Sequence, residues 1–107
     1  MEQITDKNFR EFLEKKDGRV KALKIGSQTC PPCRRLDVVL PKITEQFPQI
    51  DFGKADLDQS LSIGKYFSIM SIPQIFFYKN GKQIAQIEGY DNSLDLIAFI
   101  KTEVLKA

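Results

Sequence analysis

The two cysteines of the chain, Cys30 and Cys33, lie three residues apart where a helix is predicted to begin. Before them, residues 20–25 are short and mostly apolar and are followed by Gly26, which is typical of a buried strand. After them, four apolar residues recur at helical spacing and share one face: Leu36, Leu40, Ile43 and Phe47. Cys33 stands one turn earlier on that face. The sequence therefore predicts a strand, a short connection that carries both cysteines, and an amphipathic helix.

The segments on either side of this unit carry further helix and strand signals. Thr5 is the predicted N-cap of a first helix, which we expect to end near residues 16–18. Residues 50–57 predict a second buried strand, and a short helix over residues 61–67 follows it. Pro41 lies within the helix after the cysteines and predicts that the helix is either kinked or broken into two there, because proline removes a backbone donor and crowds the preceding turn. The apolar pattern continues past Pro41, which favours the kink.

The last third of the chain predicts a β-hairpin and one more helix. Asn80-Gly81 is a strong type I′ turn signal between strands over residues 75–78 and 83–88. Asn92 and Asp95 form the pattern of a capping box at the start of a terminal amphipathic helix. Helices separate the first strands, whereas an antiparallel hairpin ends the sheet. The sequence thus predicts an α/β fold with a central mixed sheet, helices on both faces and a C-terminal ββα unit.

Length, charge and residue types narrow the class of protein. A chain of 107 residues fits one domain, over residues 1–107. The 16 basic and 14 acidic residues are spread along the chain, which gives no support to nucleic-acid or membrane-surface binding. Without a secretory signal pattern, we expect a cytoplasmic location, where a purely structural disulfide would not stay closed. No histidine or second cysteine pair completes a metal site, so none is expected.

Several separate landmarks occur in a fixed order along the chain. They are the first buried strand, residues 26–33 opening a helix, Ser71-Ile72-Pro73, residues 78–82, and Glu88-Gly89. In this order and spacing the chain resembles the thioredoxin family over almost its whole length. The resemblance implies a thioredoxin-like fold and a thiol–disulfide oxidoreductase.

Three positions depart from the usual family pattern. Thr29 stands where a tryptophan is usual, Pro31-Pro32 replaces Gly-Pro, and Lys24 occupies the place of a buried aspartate. The chain therefore resembles a divergent member with a Cys-Pro-Pro-Cys active site.

The position of each cysteine predicts its role in this chemistry. Cys30 would lie at the helix N-terminus, where unpaired N–H groups favour an anion, so we expect it to attack a substrate disulfide. Cys33, one turn into the helix, is expected to be more buried and to resolve the mixed disulfide. The redox-active Cys30–Cys33 disulfide is then the only redox group, and no bound cofactor is expected.

The resemblance also implies a substrate surface around the cysteines. Pro73 would follow a cis peptide bond beside the disulfide, and Ile72 would offer backbone groups to an extended substrate. Four further residues would complete a mostly apolar, uncharged surface: Thr29, Pro31, Gly89 and Tyr90. We therefore expect protein disulfides as substrates, a thioredoxin-reductase-like electron donor and a monomeric protein.

Lys24 leaves two interpretations open. Its charge can stabilise the nearby thiolates, with Lys54 and Arg34 as further groups that tune the site electrostatically. Alternatively, Lys24 snorkels to solvent or pairs with Asp56 on the neighbouring strand.

The function of the whole chain also has an alternative, a thioredoxin-fold binding or redox-sensing module with little catalytic turnover. The missing tryptophan and aspartate favour this module, and the retained cysteines and Ile72-Pro73 turn oppose it. The sequence does not fix the reduction potential, since dithiol proteins of this kind range from about −270 to about −120 mV.

Overall fold

A computed structural model describes residues 1–106 of the chain. The strands are β1 (Glu2–Gln3), β2 (Val20–Gly26), β3 (Ile50–Asp56), β4 (Gln74–Lys79) and β5 (Lys82–Glu88), in the order β1-β3-β2-β4-β5 across one sheet. Strands β1, β3 and β2 are parallel, whereas β4 is antiparallel to both β2 and β5. The helices are α1 (Phe9–Glu14), α2 (Pro31–Gln46), α3 (Leu61–Tyr66) and α4 (Ser93–Phe99).

Strand β2 is buried on both of its faces, which places it at the centre of the fold. Val20 and Ala22 point into one hydrophobic cluster, which is closed by apolar residues of α2 and α4. Leu23 and Ile25 point into a second cluster with residues of α1 and α3. Successive side chains of a strand face opposite sides of the sheet, so this alternation requires a helical layer on each face. The predicted α/β fold with a mixed sheet is confirmed.

The predicted start and end of α1 are wrong. Residues 6–8 form a turn, in which the Thr5 carbonyl accepts hydrogen bonds from the backbone N–H groups of Asn8 and Phe9. The N-cap is Asn8, and its side-chain Oδ1 accepts from the Thr5 N–H at 2.7 Å instead of capping the helix. The helix begins at Phe9 and ends at Glu14, before the predicted end at residues 16–18.

The helix that follows the cysteines is a single element that includes Pro41. It spans Pro31–Gln46 without interruption and buries Leu36, Leu40 and Ile43 on the predicted face. The helix therefore continues past Pro41, as its apolar pattern indicates.

Two local signals near the C-terminus are confirmed in detail. Asn80 and Gly81 both have positive φ angles, 51° and 82°, as a type I′ turn between β4 and β5 requires. The Asn92 side chain accepts from the Asp95 N–H at 2.9 Å, and its Nδ2 donates to the Asp95 carboxylate at 3.0 Å. This reciprocal cap begins α4, which continues as a π-helical segment over Ile100–Val104.

Lys21 is buried on β2 and is neutralised by two carboxylates. Its side chain is 2% exposed, and Nζ donates to Asp17 Oδ2 and Asp51 Oδ2, each at 2.7 Å. Arg19 binds the same Asp51 carboxylate through Nε and a terminal nitrogen. The Arg19 guanidinium, together with Lys21, lowers the pKa of Asp51 to about 2 against the desolvation that would raise it.

We expect this network to make the protein less stable in acid. The pKa of Asp51 is about 2 in the folded protein, against an ordinary value of 3.8, so the unfolded chain binds more protons between these values. The stabilisation is present above the ordinary pKa and is lost as the pH falls through the folded one. Urea unfolding at a series of pH values measures this loss, and Asp51→Asn should flatten it. Parallel curves for the two proteins would contradict this role of Asp51.

Candidate active site

Cys30 and Cys33 lie at the N-terminal end of α2 and are joined by a disulfide. Cys30 is the N-cap residue, and its Sγ accepts a hydrogen bond from the backbone N–H of Cys33 at 3.3 Å. Pro31 and Pro32 occupy the first two helical positions, where a missing N–H costs no hydrogen bond within the helix. Cys33 is completely buried, whereas Cys30 is partly exposed. The predicted difference in exposure between the cysteines is confirmed.

The loop that precedes β4 lies directly beside Cys30. The Ile72–Pro73 peptide bond is cis, and the Ile72 carbonyl oxygen is 3.8 Å from Cys30 Sγ. The Gly89 N–H donates to the Pro73 carbonyl at 2.7 Å, and Gly89 has a φ of 77° that favours glycine. Cys30, Ile72, Pro73 and Gly89 are therefore brought together where β2 ends and β4 begins, with Pro73 itself completely buried.

The other predicted surface residues surround this group less closely. Thr29 and Pro31 are exposed on either side of Cys30. Arg34 and Arg35 are also exposed, on the outer face of α2 beside Pro31 and Val38. Tyr90 is half-buried and packs against the hydrophobic cluster under α2 and α4. Tyr90 is thus at least partly a packing residue.

A polar network that the sequence analysis missed holds the loop before Cys30. Ser27 is buried at the end of β2, and its Oγ donates to Asp58 Oδ2 at 3.0 Å. The same Oγ accepts from the Thr29 N–H at 3.2 Å, and the Ser27 carbonyl accepts from the Cys30 N–H at 3.4 Å. A serine directly after Gly26, where the buried strand β2 ends, is the signal that could have identified it. These bonds fix the approach of the chain to Cys30.

Lys24 is buried, with 4% of the residue exposed, and pairs with a carboxylate on α2. Its Nζ donates to Asp37 Oδ1 at 2.7 Å. The alternatives of snorkelling to solvent and of pairing with Asp56 are therefore wrong. Asp37 follows Cys33 by four residues, so both side chains lie on the side of α2 that faces β2. That spacing is the sequence signal for Asp37, which the sequence analysis overlooked.

Lys24 and Asp37 lie in a narrow cleft between α2 and the sheet. The cleft has a volume of about 160 Å³ and is lined by Lys24, Gly26, Asp37, Lys54 and Asp56 among others. Lys54 is next to Lys24 in the register of β2 and β3, and it is partly exposed. The cleft therefore places two cations and two carboxylates behind the cysteines.

Comparison with known proteins identifies the family. The thioredoxin family model matches residues 1–102. The chain belongs to the thioredoxin family. A thioredoxin of Chlamydia trachomatis is 30% identical over 97 residues, which cover 91% of this chain and 92% of that protein. Thioredoxin-1 of Saccharomyces cerevisiae is 33% identical over 60 residues, which cover 56% of this chain but only 58% of the yeast protein.

Solved thioredoxin structures share the fold of this thioredoxin-family chain. The X-ray structure of Fasciola hepatica thioredoxin superposes with a TM-score of 0.86 at 24% identity, and the match covers 96% of this chain and 99% of that one. The family, with the disulfide between Cys30 and Cys33, confirms the prediction of a thiol–disulfide oxidoreductase.

Residues 1–106 present neither a metal-binding cluster nor a long apolar helix. No group of three or more His, Cys, Asp or Glu side chains in this part of the chain is arranged to hold a metal ion. None of the described helices is long and apolar enough to cross a membrane.

Proposed function

We propose that this protein reduces disulfides of other proteins through reversible exchange at Cys30 and Cys33. The observation that carries the proposal is the disulfide between a partly exposed N-cap cysteine and a completely buried cysteine one turn later. Such a pair gives a substrate access to one sulfur while the other is kept for the intramolecular step. Substrate disulfides therefore meet Cys30 first.

Cys30 is suited to be the nucleophile because α2 offers its sulfur a donor. The Cys33 N–H already points at Cys30 Sγ, and the positive end of the helix dipole lies at the same place. Pro31 and Pro32 have no N–H, so the Cys33 amide is the first donor that the helix presents to this sulfur. A thiolate at this position accepts a charge-assisted hydrogen bond, which favours ionisation of Cys30 in the reduced protein.

The exchange then takes two balanced steps. The Cys30 thiolate attacks one sulfur of the substrate disulfide, and the other substrate sulfur leaves as a thiolate that takes a proton from solvent. Cys33 loses its proton and attacks Cys30 Sγ, which breaks the mixed disulfide and releases the second substrate thiol. The substrate is reduced by two electrons, and the Cys30–Cys33 pair is oxidised by two. A thioredoxin-reductase-like donor would restore the dithiol.

The surroundings of Cys30 support an extended polypeptide as the substrate. Ile72 and Gly89 present backbone beside the sulfur, and Thr29 and Pro31 add an uncharged rim. Tyr90 extends this surface, Pro73 is buried beneath it and holds Ile72 in place, and Arg34 would contact acidic groups of a partner. We further propose that the protein is a monomer with one domain over residues 1–107 and needs no bound cofactor. It would act in the reducing cytoplasm.

Insulin reduction by dithiothreitol tests this function against a binding or redox-sensing module. We expect the wild-type protein to accelerate insulin precipitation and Cys30→Ser to leave it at the uncatalysed rate. Val38→Ala, which truncates a 78% exposed residue on the same helix, is the matched control and should keep full activity. A wild-type protein that forms the disulfide but does not accelerate the reaction would favour the module.

A further inference from the structure

Gly26 separates a buried ammonium group from the sulfur of Cys33. A Cβ atom at Gly26 would lie 2.7 Å from Lys24 Nζ and 3.1 Å from Cys33 Sγ. Both groups thus border the space that the glycine leaves empty, and they are at most ~6 Å apart, a separation at which a charge still shifts a titration. Lys24 is therefore the buried cation that faces the resolving cysteine.

Asp37 keeps this cation beside the helix that carries Cys33. The Lys24–Asp37 contact at 2.7 Å joins β2 to α2 one turn after Cys33. Asp56, which is next to Gly26 in the register of β3, accepts instead from the Asp58 N–H at 2.9 Å. The ammonium is thus held toward α2 and the cysteine.

The other charged groups that line the cleft are more exposed to water. Lys54 and Asp56 on β3 and Asp37 on α2 are all partly exposed, whereas Lys24 is buried. Water screens partly exposed charges more strongly than buried ones. Among the four groups, Lys24 is the buried one, and it borders the same space as Cys33 Sγ.

We propose that Lys24, held by Asp37, is a positioning residue that stabilises the Cys33 thiolate in the resolving step. This inference rests on the proposed exchange at Cys30 and Cys33. Cys33 gives its proton to solvent, and the resulting thiolate is balanced by the Lys24 ammonium. The thiolate attacks Cys30 Sγ, the bond between Cys30 and the substrate sulfur breaks, and the leaving substrate thiolate takes a proton from solvent.

Titration of Cys33 in the reduced protein tests this role. With ¹³Cβ-labelled cysteine, NMR gives the pKa of each thiol, and Lys24→Met should raise the pKa of Cys33. We expect about a tenfold smaller thiolate fraction at neutral pH, equal to a shift of ~1 pH unit, the lower end of what a close opposite charge produces. Lys24→Arg should restore most of the wild-type value, because it restores the charge.

Lys21 provides the matched control. It is also a buried lysine on β2 with carboxylate partners, but it lies on the opposite face of the sheet from Lys24. Lys21→Met should leave the pKa of Cys33 unchanged. If Lys24→Met does not fold, Lys24→Gln, which can still donate to Asp37, is titrated in its place.

Two results would overturn the inference. One is an unchanged pKa of Cys33 in the Lys24 variant that folds, and the other is an equal shift in Lys21→Met. If the wild-type protein still accelerates insulin reduction in either case, the role of Lys24 fails and the proposed function stands. A wild-type protein without that activity would instead refute the proposed function, whatever the titration shows.

Discussion

Replacement of Cys33 by serine is expected to stop turnover and to leave the protein covalently joined to its substrate through Cys30. Cys30 keeps its exposure and its position at the start of α2, so the first attack still occurs. The buried serine hydroxyl cannot displace the substrate, because it is far less ionised than a thiol and forms no disulfide. The mixed disulfide consequently accumulates.

Mass spectrometry under non-reducing conditions measures this trapped species. Reduced Cys33→Ser, incubated with a peptide dimer linked by one disulfide, should gain the mass of one peptide, and dithiothreitol should remove it. Cys30→Ser is the matched control and should gain little, because Cys33 is completely buried. Cys33→Ala repeats the experiment without a buried hydroxyl. Equal trapping by the two serine variants would contradict the assigned roles of Cys30 and Cys33.

Truncation of Phe77 to alanine is expected to cause a large loss of stability. Phe77 is completely buried on β4, and its ring packs 6.0 Å from that of Phe99 in the cluster beneath α2 and α4. Removing a buried phenylalanine ring loses its transfer free energy and leaves a cavity, which costs about 3–5 kcal/mol. For a chain of this size, that is a large share of a total stability of about 5–15 kcal/mol.

Urea unfolding of the oxidised protein gives the free energy of unfolding for this comparison. Leu94→Ala removes an exposed apolar side chain, 77% accessible at the start of α4, and should change the stability by no more than about 0.5 kcal/mol. A loss below about 1 kcal/mol for Phe77→Ala would contradict its place in the core.

Local signals in the sequence were sufficient for most of the fold. The type I′ turn at Asn80-Gly81 and the cap at Asn92 depend on residues next to each other, so their geometry follows from their types. The start of α1 was predicted wrongly because Thr5 and Asn8 are both suitable N-cap residues. Asn8 bonds to the Thr5 N–H and takes the N-cap position, so Thr5 ends up in the preceding turn.

The site was less accessible to sequence reasoning because its contacts join distant segments. The side chain of Lys24 donates to Asp37, which lies 13 residues away in the sequence, and that of Ser27 donates to Asp58, which lies 31 residues away. The chain has 14 acidic residues, and only the packing of α2 on β2 selects the partner of Lys24. The residue types alone would have favoured a trans bond before Pro73, and the family resemblance supplied the cis bond that the structure has.

The most direct test of the central claim is the reduction potential of the Cys30–Cys33 pair. The protein is equilibrated in glutathione buffers of graded ratio, free thiols are trapped, and the reduced fraction is measured by mass. If the protein is a protein-disulfide reductase, the pair should show one reversible two-electron transition with a potential closer to about −270 mV than to about −120 mV. A potential of about −120 mV would contradict its role as a reductant. The absence of any reversible disulfide would contradict thiol–disulfide exchange itself.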